Sequence, residues 1–437
     1  MSRLQPHAAY KPSRAPWLGQ IPSHWDEKPL FAVARERWVA NDGLREKNLL
    51  SLSYGRIVCK DINANEGLLP ESFETYQIIE AGDVVFRLTD LQNDKRSLRS
   101  AICQQRGIIT SAYLAVVPEG IRPEYFNYLM RAYDVQKVFY SMGGGLRQSL
   151  KYEDLRRMPL PIPSADEQNK IVVYLDRETT RIDALIAKKS GFIGLLAEKA
   201  TAIAANAVSK GIAPKATMVD SGVGWIGHIP SHWSIFRVAA LFREVARPAN
   251  IELPVLSVSI HGGVTDKELA DEERDRVVNL SEDRTKYQSV KPEDLVYNMM
   301  RAWQGAFGTV AVEGLVSPAY VVAEPKTEFR TKFVELLLQT PAGFEEVRRY
   351  SKGIADFRMR LYWEHFRNLK VCLPPLPEQD AIIRHVAVET ARIKQLISTT
   401  ERSIELLKEH RSALITAAIT GKIDVRGIDA KKIQAAA

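Results

Sequence analysis

The stretch GQIPSHW at residues 19–25 recurs as GHIPSHW at 227–233, 208 residues later in a chain of 437. Six of the seven residues are identical. Solenoid repeats have periods of about 20–50 residues and stack small units. A period near half the chain instead signals two domain-sized copies. The copies align outward from this motif. YKPSRAPW at 10–17 lies opposite MVDSGVGW at 218–225. Ser51-Leu52-Ser53 lies opposite Ser257-Val258-Ser259, each with the apolar–polar alternation of a strand. Gly82-Asp83-Val84-Val85 matches Glu293-Asp294-Leu295-Val296, and Ser111-Ala112-Tyr113 matches Pro318-Ala319-Tyr320. LPIP at 160–163 leads into Glu167-Gln168, and PPLP at 374–377 leads into Glu378-Gln379, at an offset of 211. Between these anchors the residues diverge. A shared frame with different content suggests one fold carrying two specificities.

Composition bounds the rest. The length gives two to three domains, each large enough for its own core. A hydrophobic fraction of 45% and a charged fraction of 26% are those of an ordinary globular protein. No uninterrupted apolar run reaches about 18 residues, and the first residues have no apolar signal core, so no membrane span or leader is expected. Cys59, Cys103 and Cys372 are too dispersed for a zinc cluster or a disulfide framework, which fits a reduced, cytoplasmic chain. The net charge of +7 is compatible with a polyanionic partner without requiring one.

Each copy has two parts. The first, about 160 residues, is rich in short β-branched runs (83–86, 108–117, 295–297 and 315–322) separated by turn residues, which predicts a mixed α/β domain with a strongly β centre. The second is a long helix. Ser164 and Glu167 form a capping-box pattern, and Pro377 with Glu378 marks the other helix start. Apolar residues then recur at alternating three- and four-residue steps. The first seam is Val172, Leu175, Ile182, Ile186, Ile193, Leu196 and Ile203; the second is Ile383, Val386, Ile393, Ile397, Ile404, Leu407 and Leu414. Both are interrupted at the same middle place, Lys189 and Thr400, and Gly211 and Gly421 stand just beyond as stops. An amphipathic helix packed on its own domain would carry a similar stripe. Two matched heptad seams at one offset favour pairing of the helices. Each helix, about 42 residues, would be roughly 60 Å long at ~1.5 Å per residue. The order domain–helix–domain–helix suits an antiparallel coiled-coil pair with pseudo-twofold symmetry, holding the domains at opposite ends. The expected boundaries are domain 1 at 1–163, helix 1 at 164–212, domain 2 at 213–376, helix 2 at 377–424 and a tail at 425–437.

Such a shape suits duplex DNA, whose local twofold symmetry is met by two-headed binders at set spacing. Charge is unevenly placed. Residues 87–106 carry Arg87, Lys95, Arg96, Arg99 and Arg106 against Asp90 and Asp94; residues 348–370 carry seven basic residues against Asp356 and Glu364. Arginine contacts guanine in two places at once, and glutamine or asparagine does so with adenine. The candidate DNA contacts are therefore Arg87, Gln92, Asn93, Lys95, Arg96, Arg99, Arg147, Gln148 and Lys151 in the first copy. In the second they are Arg301, Trp303, Gln304, Arg358, Arg360 and Tyr362. Solvated surface charge would look the same residue by residue. Residues 218–377 hold 20 Lys+Arg against 21 Asp+Glu, so only the local cluster, not the domain's charge, points to DNA there.

His24 and His232 invite a catalytic or metal reading. No carboxylate, Cys or second His stands at ligand spacing, so a structural role beside Trp25 and Trp233 is expected, with no metal centre. Gly143-Gly144-Gly145 lacks the GxxxxGK[ST] pattern of a phosphate loop and is read as a turn. There is no HExxH, GxSxG, nucleotide-binding fingerprint or Asn-Pro-Pro-aromatic segment, so no catalytic residues are expected.

Taken in order and twice over, these residues resemble the specificity subunit of Type I restriction–modification enzymes. The resemblance covers nearly the whole chain. It rests on the duplicated GxIPxHW entry, DLQNDKRSL at 90–98, MRAWQGAFG at 300–308, SPAY at 317–320, LPPLPEQ at 373–379 and LLKEHRSALITAAITGKID at 406–424. It implies two tandem α/β target-recognition domains, each reading half of a bipartite asymmetric site in double-stranded DNA. It also implies helices that set the unread spacer and dock two modification subunits, which carry S-adenosylmethionine and methylate adenine. A restriction subunit using ATP and magnesium would join them for cleavage. The chain itself would hold no cofactor and touch no membrane. PIPSADEQ replaces the tighter PLPEQ in the first copy, which loosens the expected start of the first helix by a residue or two. Two other readings stand beside this one: a coiled-coil scaffold with non-specific DNA binding, and a single-chain methyltransferase or nuclease, which the missing motifs disfavour.

Overall fold

The computed structural model describes residues 5–62, 72–91, 98–142, 149–260, 262–266, 284–353 and 359–427. It divides into two compact units: Met1–Lys189 with Arg402–Ala437, and Ser190–Glu401. The compact units differ from the sequence blocks in one respect. Each takes one globular domain together with part of both long helices, Ala165–Lys210 and Leu376–Ile419.

In the first unit a four-stranded antiparallel sheet runs in the order Ala34–Arg37, Leu114–Pro118, Val84–Phe86, Ser100–Ile102. Its two faces explain its apolar sequence. Val84, Phe86, Leu114 and Val116 enter the main core with the helix Pro123–Val135 and the long helices. Val85 and Ala115 enter a second core with Leu50, Ile79 and Ile109 from a neighbouring sheet. A strand buried on both faces reads as a continuous apolar run rather than an alternation. The helix Pro123–Val135 was not singled out in the sequence. Its proline at the first turn and its buried Tyr125, Phe126, Leu129, Met130 and Tyr133 account for it, each large side chain stabilising by about 1.5–3 kcal/mol on burial.

The second unit repeats this plan. Its four-stranded sheet runs Phe242–Val245, Tyr320–Pro325, Leu295–Asn298, Phe307–Thr309. Leu295 and Tyr297 face the helix-bearing core, and Val296 faces a smaller core with Leu256, Val290 and Val316. The apolar runs 108–117 and 315–322 each prove to be two strands divided by a turn. Tyr113 N donates to Thr110 O at 3.0 Å, and Tyr320 N to Ser317 O at 2.9 Å. The aligned SAY and PAY triplets lie at these turns. In each copy a glutamine amide, from Gln77 or Gln288, donates to the carbonyl of the turn tyrosine, Tyr113 or Tyr320, at 2.5 and 2.6 Å.

Within each unit the long helices run antiparallel. In the first, Ile171, Val172 and Leu175 pack with Ile415, Ala418 and Ile419, and Asp183 takes a two-pronged ion pair from Arg411 at 3.0 and 3.1 Å. In the second, Ala207 and Val208 share a core with Ile382 and Val386. All fourteen named seam residues are buried or half-buried. By length and composition alone one 18-residue window of Ala165–Lys210 is apolar enough to cross a membrane, although Glu198 and Lys199 interrupt the apolar run. Alanines between the seam positions raise its mean hydropathy.

Candidate nucleic-acid interface and its mounting

The recurring IPSHW motif mounts each domain on the helices. His24 Nε2 meets Glu167 Oε2 at 3.0 Å, and His232 Nε2 meets Glu378 Oε2 at 2.7 Å. Both glutamates lie in the first turn of a long helix. Sequence spacing found no carboxylate for either histidine, because folding supplies it from 143 and 146 residues away. The expected capping box is correspondingly half made. Ser164 Oγ accepts from Glu167 N at 3.3 Å, but the Glu167 carboxylate goes to His24. The same motif grips the end of the other helix. Gly421 has φ +70°, and a Cβ there would collide with the Pro22 ring and lie 3.2 Å from Trp25. Gly211, φ +76°, sits likewise against Trp233 and Glu378.

Two further pairs in the shared frame escaped the sequence reading. Gln168 Oε1 accepts from Arg122 N at 2.9 Å and Gln379 Oε1 from Arg330 N at 2.8 Å, fixing a short helix of each domain to the start of a long one. Asp83 is buried against Arg37 at 2.5 Å, and Asp294 against Arg247 at 2.5 Å. Burial raises the Asp83 carboxyl above its ordinary value, opposed by the Glu80 amide and then Arg37. Hydrogen bonding to Asp294 raises the Arg247 guanidinium. The recurring aspartate after residue 82 or 293 was the available signal; the arginines carry no motif of their own.

Among the described residues, the candidate contacts other than Arg99 lie on two backbone-paired segments in each unit. In the first unit the strand Val84–Phe86 runs on into Arg87 and Leu88, and Leu88 O accepts from Leu150 N at 3.0 Å. In the second the strand Leu295–Asn298 runs on into Met299, whose O accepts from Leu361 N at 2.8 Å. One backbone hydrogen bond per unit thus joins the two segments that sequence singled out separately. It places the backbone of Arg87 near that of Lys151, and the 299–304 segment beside Arg360 and Tyr362.

Lys151, Gln304, Arg360 and Tyr362 are exposed, and Arg87, Arg301 and Trp303 are half-buried. The Trp303 indole donates to Met300 O at 3.1 Å, and the Arg348 guanidinium lies 5.8 Å from its ring centroid. The turn Ala302–Gln304 closes on Gly305 at φ +96°, where a Cβ would stand 2.5 Å from the Phe344 ring. Tyr362 lines a cleft of about 840 Å³ with Tyr320, Arg247, Lys286, Glu244 and Glu364. Burial, and then Glu364, raise the Glu244 carboxyl above its ordinary value.

Arg99 requires a correction. It is 0% exposed. Its guanidinium donates to Thr89 O at 3.1 Å, Asp90 O at 3.4 Å and Tyr140 Oη at 3.3 Å, and its amide to Asp134 at 2.6 Å. A buried guanidinium must find acceptors, and here they are the carbonyls of a loop whose Asp90 has φ +56°. Arg99 is spent on that loop and is not presented at the surface. Gln92, Asn93, Lys95, Arg96, Arg147, Gln148 and Arg358 lie outside the described residues, as does the 143–145 glycine run.

Two mixed α/β domains with the same strand order, each packed on segments of two long antiparallel helices, define a duplicated, helix-mounted α/β fold. Comparison with known proteins places it further. No family model and no curated protein matches the chain. Solved structures do. A chain from a structure of complex assembly and conformational transition in the type I R-M system has a TM-score of 0.62 at 14% identity, covering 92% of this chain and 99% of that one. The HsdS subunit from Thermoanaerobacter tengcongensis gives 0.50 at 15% identity, covering 92% and 98%. The chain has the fold of these type I restriction–modification subunits.

Proposed function

We propose that this chain is the non-catalytic DNA-specificity subunit of a type I restriction–modification complex, acting in the cytoplasm. Each domain would read one half of a bipartite asymmetric site in duplex DNA. The observation that carries this is the duplicated frame with divergent loops. The same position presents Arg87 and Lys151 in one copy and Arg301, Gln304, Arg360 and Tyr362 in the other. Arginine and glutamine side chains discriminate bases in the major groove, and lysine with arginine neutralises phosphate. The long helices would fix the unread spacer and dock two modification subunits. Large apolar side chains left exposed on them support docking: Leu185 and Leu406 in the first unit, Phe192, Leu195, Val388 and Leu396 in the second. S-adenosylmethionine would be held by the modification subunits, and ATP with magnesium by a restriction subunit. Mapping methylated adenines in DNA from cells expressing this chain with its modification partner tests the reading. A split motif with a constant gap is expected. Methylation absent, or independent of sequence, would overturn it.

A further inference from the structure

The two mounting sites are not equivalent, and the difference is chemical. In the first unit a third group joins His24 and Glu167. His7, His24 and Glu167 each offer a ligand atom within 4.8 Å of the other two. His7 and Glu167 are buried, with side chains 2% and 4% exposed. Yet, among the described residues, His7 Nδ1 and Glu167 Oε1 have no hydrogen-bond partner. A buried polar atom left unpaired is costly, and two within one small cluster of ligand-type side chains point to a missing partner there. Their other neighbours are at the wrong distance to satisfy them: Asp424 Oδ2 is 3.7 Å from His7 Nδ1, and Arg426 Nε is 4.0 Å from Glu167 Oε1. Arg426 spends its guanidinium chiefly on Asp424, at 2.6 Å.

We propose that His7, His24 and Glu167 form a binding site for a divalent transition-metal ion, with zinc the best match. Two imidazoles and one carboxylate are a donor set of borderline softness, which suits zinc rather than magnesium or calcium. Zinc–nitrogen bonds of about 2.0–2.1 Å in a tetrahedron put neighbouring ligand atoms about 3.3 Å apart. The His24–Glu167 edge, at 3.0 Å, is already close to that spacing. Small rotations of His7 close the third corner, and Asp424 or water completes the fourth. The ion would tie together three parts of the chain: the segment before the first strand, the IPSHW motif and the first turn of Ala165–Lys210. Asp424 N also donates to Gln5 O at 2.8 Å, so the site sits where the last described residues meet the first. Among the described residues the second copy has no such cluster. Its strand pair, Met218–Asp220 with His228–Pro230, aligns with Tyr10–Pro12 and Gln20–Pro22, and Lys215 stands where the alignment places His7.

The test is zinc titration of the tag-free full-length chain by competition with a chromophoric chelator, and cobalt(II) substitution read by visible absorption. One equivalent per chain is expected, with the spectrum of a nitrogen–oxygen site. His7→Gln and Glu167→Gln should each weaken binding on the order of tenfold or more. His232→Gln, in the copy without a third ligand, should leave stoichiometry and affinity unchanged. Circular dichroism of each variant checks that the fold persists. Should a ligand variant unfold, the wild-type cobalt spectrum and the His232→Gln titration still decide. No stoichiometric binding by the wild-type chain, binding indifferent to His7, or loss of the equivalent in His232→Gln would overturn the proposal.

Discussion

Gly421 shows how much a single position in the frame carries. Its φ of +70° is a conformation that side chains disfavour by about 1–2 kcal/mol, and a Cβ would also run into the Pro22 ring. Overpacking of that kind costs about 1–3 kcal/mol. Gly421→Ala should therefore lower stability by about 2–5 kcal/mol, read as a shift in the denaturant midpoint with unchanged slope. Gly427→Ala, where nothing lies within 4 Å, should shift it little. Equal shifts in the two variants would show that the packing of Pro22 against the helix end is unimportant. At this scale the sequence was half legible. Gly211 and Gly421 were readable as helix stops, and the IPSHW echo was readable as a frame. That the histidine would meet the first-turn glutamate of a long helix was not, because the partners are 143 and 146 residues apart and neither type announces the other. Arg99 was misread for the opposite reason. It sits in a basic stretch, and only the fold shows its guanidinium spent on the carbonyls of Thr89 and Asp90.

Among the elements, the long helices were the most legible, since heptad spacing, caps and stops agree along each; the observed ends fall within a few residues of expectation. The sheets were less so. A strand sandwiched between two cores loses its alternation, and the turns at Thr110 and Ser317 vanish inside apolar runs. The loops after Val84–Phe86 and Leu295–Asn298 were legible only as composition, and their pairing with the segments at 150 and 361 came from the fold. That pairing makes a sharper prediction than composition could. Arg301→Ala with Arg360→Ala should weaken binding to the cognate site by about 1–3 kcal/mol if either guanidinium reads a base. The loss should relax specificity in one half-site and leave the other intact. Fluorescence anisotropy at fixed salt, with each half-site scrambled in turn, separates the outcomes. A uniform loss that shrinks with salt would mean phosphate contact alone, and unchanged affinity would remove these residues from the interface.

For the molecule as a whole, the proposed spacer role makes length the decisive variable. Both units contain antiparallel segments of the same two helices, and the seams agree in position and in their interruption at Lys189 and Thr400. Deleting seven residues from the middle of one helix alone would break that match. Deleting a heptad from both keeps every remaining seam residue facing its partner, because the apolar repeat is seven residues. At ~1.5 Å per residue the pair shortens by about 10 Å. The rise of duplex DNA is about 3.4 Å per step, so the preferred gap between half-sites should fall by at most about three base pairs. Those steps also turn the duplex by roughly 100°, given 10–10.5 base pairs per turn. The protein must therefore re-phase its loops as well as close up, and some loss of affinity should accompany the shorter gap. Methylation mapping in cells carrying the doubly shortened chain measures this directly. Both half-sites should keep their bases while the gap contracts. An unchanged gap would show that the helices tolerate length without measuring it, and changed half-site bases would show that the domains do not read independently of their mounting.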